Sequence, residues 1–197
     1  MSKHGNAAVM TAKSKRSMTT KTLAYCAMLA ALQVVLARLM GLMPNAYSRF
    51  SIEAIPTIVA GILFGPVAGG MVGFSSDLVG CLFSGYGYNP IFCLPPILYG
   101  VFGGIFRRYL AEKVTVWRLM VTILPAVILG SWLWQSAALA YVYYSKGPFL
   151  EGFLLNLGTR GVQFAVVSVI YIVVIRLLFQ SKIFNSMGVW PPKAKEQ

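Results

Sequence analysis

Charge is scarce in this chain, and acid is scarcest. Of 197 residues, 11% are charged and only five are Asp or Glu. A soluble domain carries about 25% charged residues, so the polar surface that would keep this chain dissolved is missing. The catalytic inventory is as thin. His4, in the N-terminal tail, is the one histidine, which excludes a Ser–His dyad and an HExxH zinc site. Asp77 is the one aspartate, which argues against a two-aspartate intramembrane protease and a multi-aspartate, metal-dependent lipid transferase. No Walker-type phosphate loop is present, so the chain does not hydrolyse ATP by that route. Cys26, Cys81 and Cys93 have neither CxxC nor Cys/His spacing, so they read as small packing residues, not a disulfide framework or metal site. An enzyme is disfavoured and no cofactor is expected. Uphill transport would need energy from another subunit.

What the chain has in quantity is apolar sequence, 57% of it. Runs long enough to cross a bilayer, about 17–25 residues, recur along it, which predicts an all-α integral membrane protein of six helices. The first is expected over Thr20–Met43, ended by "MPNAYSR". The second runs from Ser51 to the Gly65–Pro66 pair, where proline disfavours helical geometry in the residue before it, and the third continues to Phe83. The fourth is expected over Ile91–Arg108, the fifth over Trp117–Tyr144 with Pro125 inside it, and the sixth over Phe153–Phe179 after a turn at "SKGPFLEG". Residues 1–19 then form a basic tail, 20–180 the membrane domain and 181–197 a C-terminal tail. The first apolar run continues past any cleavage-site pattern, so a retained helix is expected, not a signal peptide. No repeat of 20–50 residues is visible.

The net charge of +12 would suggest nucleic acid in a soluble protein. Here the basic residues fall between apolar runs, where they set topology. With the N-terminus inside, the inner segments hold Lys3, Lys13, Lys15, Arg16, Lys21, Arg107, Arg108, Lys113, Arg118, Arg176, Lys182, Lys193 and Lys195. The outer half keeps only Arg38, Arg49, Lys146 and Arg160 of the 17. Both termini are therefore expected in the cytoplasm, and no nucleic-acid partner is expected.

Two constellations remain. Gly61, Gly65, Gly69 and Gly73 are spaced by four, which lets a neighbouring backbone approach closely, and Ala27 and Ala31, with Ala24 and Ala30, make a second small-residue face. Internal packing and docking of a partner helix both fit the alanine face. Charges inside a membrane are costly and usually face a cavity. Arg38, Arg49, Glu53, Asp77, Lys146, Glu151 and Arg160 all map toward the outer ends of their helices, with Asn156 and Gln163 near Arg160. Snorkelling to the headgroups would account for Lys146 and Glu151, expected in a loop. An outward-facing polar pocket would account for the deeper ones. Aromatic residues, Tyr88 and Trp134 among them, gather at the same level. They would form an interfacial belt, or with guanidinium groups suit a flat ring that carries carboxylates.

The segments "LAYCAMLAALQVVLARLM", "RFSIEAIPTIVAGILFGPVAGGMVGFSSDLVG", "YGYNPIFCLPPILYGVFGG" and "NLGTRGVQF" resemble the substrate-binding S component of an energy-coupling-factor (ECF) vitamin importer, most closely the folate family. The resemblance implies six helices, an outward pocket, and high-affinity capture of folate or a related vitamin in a bacterial cell membrane. It also implies a transmembrane coupling subunit and two cytoplasmic ATPases as partners, with Ala27 and Ala31 matching the family's AxxxA docking signature. Family arginines match Arg38, Arg49 and Arg160. The candidate ligand-binding set is Arg38, Arg49, Asp77, Tyr88, Asn89, Trp134, Asn156, Arg160 and Gln163. An S component for a thiamine or queuosine precursor, and a membrane scaffold or an enzyme without recognised motifs, are the alternatives. The chain departs from the folate pattern at "YNPIFCLP" and at Glu53.

Overall fold

Apolar helices separated by short polar breaks fold here as a helical bundle. The structure, a computed structural model, describes residues 19–41, 52–83, 90–143, 149–181, 183–186 and 188–190. Helix α1 spans Thr20–Gly41. A 3-10 turn at Ile52–Ala54 leads into α2, Ile55–Phe64, and α3 follows over Pro66–Leu82. A second 3-10 turn, Pro90–Cys93, opens α4, Leu94–Ile105. The short α5, Arg107–Glu112, precedes α6, Val116–Ala126, a π-helical segment over Val127–Trp134, and α7, Gln135–Tyr143. Helix α8 covers Phe149–Gln180 and α9 covers Ile183–Ser186. Three stretches are long and apolar enough to cross a membrane, Thr20–Leu39, Val116–Val142 and Phe149–Gln180, and Ile52–Phe64, Pro66–Leu82 and Pro90–Ile105 are shorter apolar helices. All of them fall within the six apolar runs of the sequence, three of them long enough to span.

Three boundaries differ from expectation. The last long helix starts at Phe149, so Glu151 lies in its first turn and not in a loop. The fourth helix stops at Ile105, and Arg107 and Arg108 belong to the separate α5. The fifth run is interrupted: Pro125 has no N–H to give and crowds the preceding turn, and after Ala126 the eight residues Val127–Trp134 take up the wider π geometry.

Helices α2, α3 and α4 are joined backbone to backbone. The chain reverses between α2 and α3 at Gly65 alone, whose φ of +101° favours glycine. A Cβ on Gly61 or Gly69 would run into the Gly100 carbonyl, and one on Gly73 into that of Pro96. The glycine stripe thus serves internal packing, but its main counterpart is α4, whose Gly100, Gly103 and Gly104 complete the contact. Cys26 packs from α1 against Ala60, Ala68 and Val72. The larger core gathers Ile58, Ile62, Leu119, Ile123, Tyr171 and Ile175. At one end Arg118 pairs with Glu112 at 2.8 Å and lies over the Tyr109 ring. There too Trp190 folds back edge-on against Phe179.

Candidate functional site

The opposite end of the bundle holds the candidate site. The chain alternates direction, so the end of α1, the end of α3, the start of α4, α7 and the first part of α8 meet there, and side-chain contacts tie them together. The Arg38 guanidinium on α1 donates to the Gly80 carbonyl on α3. The Asp77 carboxylate, also on α3, shares a hydrogen bond with the Cys93 thiol at the entrance to α4. The Trp134 indole donates to the Ile91 carbonyl at 2.8 Å, and the Trp132 indole to the Leu157 carbonyl on α8 at 2.9 Å. The π segment therefore straps α4 to α8.

Arg38 and Asp77 both lie within electrostatic reach of Cys81. Yet among the described residues they form no ion pair with each other. Arg38 Nε and Asp77 Oδ2 are buried with no hydrogen-bond partner, as is Asn156 Nδ2. Leaving such atoms unpaired is costly. Asn156, Arg160 and Gln163 follow one face of α8 at spacings of four and three, all partly buried. Gly161, beside Arg160, abuts the Trp132 ring.

Arg38, Asp77, Trp134, Asn156, Arg160 and Gln163 thus share one end of the bundle, while Arg49, Tyr88 and Asn89 lie outside the described residues. Ala27 and Ala31 are both exposed on α1. Cavities lie elsewhere among the described residues. An apolar groove of about 470 Å³ follows the bend in α6 along Trp117, Met120, Leu124 and Pro125. A smaller one, about 190 Å³, lies between the π segment and α8, bounded by Trp132, Gly161 and Ser168. Neither is lined by Arg38, Asp77, Asn156 or Arg160.

Several polar partners escaped sequence reasoning. Thr57 donates to Gln33 Oε1, and both are buried, at 0% and 7% exposure. Gln33 is the one amide in its apolar run, a signal of the same kind as an intramembrane charge. Cys93 is more than a packing residue, since it meets Asp77. Tyr99 and Ser131 hydroxyls lie 2.6 Å apart, Tyr171 hydrogen-bonds Tyr99, and Glu53 is within electrostatic reach of both tyrosines. Among the described residues no group of His, Cys, Asp or Glu could hold a metal ion.

Such a bundle, with several long apolar helices, is that of a multi-pass membrane protein. The sequence assigns it more closely: residues 17–181 match the family model described as ECF-type riboflavin transporter, S component, and the chain belongs to that family. Its members are transport subunits, not enzymes. A curated relative is the folate transporter FolT of Clostridium novyi (strain NT), 30% identical over 100 residues, 50% of this chain. The match spans 56% of that relative. A crystal structure of FolT bound with folic acid shares the fold, with a TM-score of 0.56 and 24% identity over 77% of this chain and 94% of that one.

Proposed function

We propose that this chain captures folate as the binding subunit of an ECF importer. One observation supports the reading: arginine, aspartate, amide and tryptophan side chains lie toward the same end of the bundle. Guanidinium groups match the glutamate carboxylates of folate in a two-pronged geometry, for which Arg38, Arg49 and Arg160 are the candidates. Asp77, Asn156 and Gln163 offer polar contacts to a heterocycle, and Tyr88, Asn89 and Trp134 complete the set. The FolT relative and the folate-bound neighbour support folate as the ligand. Riboflavin is the second reading, favoured by the description of the family model.

In this proposal the chain crosses a bacterial cell membrane six times between two cytoplasmic tails, residues 1–19 and 181–197, with the ligand end outward. The basic bias of the other end supports that orientation. A transmembrane coupling subunit docks on the Ala27–Ala31 face, and two cytoplasmic ATPases supply the energy. Capture itself needs no nucleotide. Detergent-solubilised protein alone is expected to bind folate with a Kd below about 1 μM, equivalent to more than about 8 kcal/mol, in a titration calorimeter. Binding only in the presence of ATP and partner subunits would overturn the reading.

A further inference from the structure

We propose that the groove along α6 binds a phospholipid with an anionic headgroup, its acyl chain in the groove and its phosphate among the basic residues at the groove's foot. The inference goes beyond folate capture and does not depend on it. The groove, about 470 Å³, has no charged or hydroxyl-bearing side chain in its lining. It runs from Trp117 to Leu129, which is about 18 Å at 1.5 Å per residue. Half the hydrocarbon core of a bilayer is about 15 Å deep, so the groove matches a chain extended through one leaflet. A regular helix presents a convex surface to lipid. Here Pro125 and the π turns after Ala126 interrupt it, and the hollow lies against them. The smaller cavity between the π segment and α8 shares Leu124 and Ile128 with the groove, so the two adjoin. That leaves room beside the first chain for the second chain of a diacyl lipid.

The foot of the groove is basic. Between Ile105 and Leu129 the sequence has Arg107, Arg108, Lys113 and Arg118 against one acid, Glu112. Glu112 is taken up by Arg118 at 2.8 Å, and Arg118 also donates to the Tyr109 carbonyl. Arg108 and Lys113 are exposed, and Lys113 follows α5 directly, four residues before Trp117. Trp117 is itself 67% exposed, and an indole, apolar with one polar edge, is at home at headgroup level. A zwitterionic headgroup brings no net charge to this end. An anionic one does, and each Lys or Arg near an anionic membrane surface strengthens association about fivefold. A second copy of the chain, side by side in the membrane, would set like charges together at this level, which disfavours it as the occupant.

The test reads quenching of Trp117 by lipids brominated on their acyl chains, with the full chain reconstituted in phosphatidylcholine vesicles. Brominated phosphatidylglycerol and brominated phosphatidylcholine are titrated in separate series, and a Trp117→Phe variant subtracts the signal of the other three tryptophans. Half-maximal quenching of Trp117 is expected at a mole fraction at least about fivefold lower for the glycerol lipid. Arg108→Gln combined with Lys113→Gln is expected to bring the two lipids to within about twofold, with quenching by the choline lipid unchanged. Both exchanges replace exposed side chains outside the candidate ligand-binding set. An equal response of the wild-type protein to the two lipids overturns the proposal and leaves only an ordinary lipid annulus. A preference that survives the double exchange overturns the placing of the headgroup. Absence of quenching by either lipid also overturns it, since a second copy of the chain then covers the groove.

Discussion

Gln33 and Thr57 face each other across α1 and α2 with no water-exposed surface to fall back on. The energetic weight of such a pair lies in what is left when half of it is removed. Thr57→Val strands the Gln33 amide, which costs about 1–3 kcal/mol. Replacing both, with Gln33→Met added, removes the stranded group and is expected to recover most of the loss. Thermal unfolding of the two variants in detergent checks this, and a double variant no better than the single would show that the pair has no such role. Asp77 and Arg38 are different in kind. Each has a protein partner and, among the described residues, a buried atom beyond it with none.

At the scale of elements, the α2–α3–α4 unit is held by backbone contact, and its tolerance to substitution follows. Gly100→Ala would drive a methyl group into the Gly69 carbonyl. Neither backbone can rotate away as a side chain would, so the cost is expected to reach or exceed the about 1–3 kcal/mol typical of overpacking. Gly158→Ala on α8 meets nothing within 4 Å and is expected to be neutral or to stabilise by up to about 1 kcal/mol. Opposite shifts in melting temperature check the contrast. The apolar runs and the Gly65–Pro66 break made these helices legible in the sequence, because length and proline act locally. The π segment was not legible, since all its residues are compatible with an ordinary helix and the widened hydrogen bonding leaves no mark in composition. The start of α8 was missed because "SKGPFLEG" reads as a turn in the sequence, which hid the helical residues from Phe149 onward. That Arg38 and Asp77 lie toward one end of the bundle could be read from helix ends alone. The Asp77–Cys93 and Gln33–Thr57 contacts depend on how helices cross and carried no such signal.

For the whole molecule, the exposed Ala27–Ala31 face and the ligand end are separate regions, and the proposal treats them as separable. Ala27→Trp and Ala31→Trp are expected to leave yield and folate binding unchanged while abolishing co-purification with the coupling subunit and ATPases. Loss of ligand binding with the complex intact would place that face in the core. The straps at Trp132 and Trp134 also set heights. Trp134 is level with Ile91, at the opening of α4, and Trp132 with Leu157. Beyond those points α7 continues for nine residues, Gln135–Tyr143, and α8 begins eight residues earlier, at Phe149. At 1.5 Å per residue that is about 12–13 Å of paired helix standing above the floor formed by α3 and α4. Among the described residues that end of the bundle is therefore uneven, its α7–α8 side reaching past the level of Ile91 like a back wall.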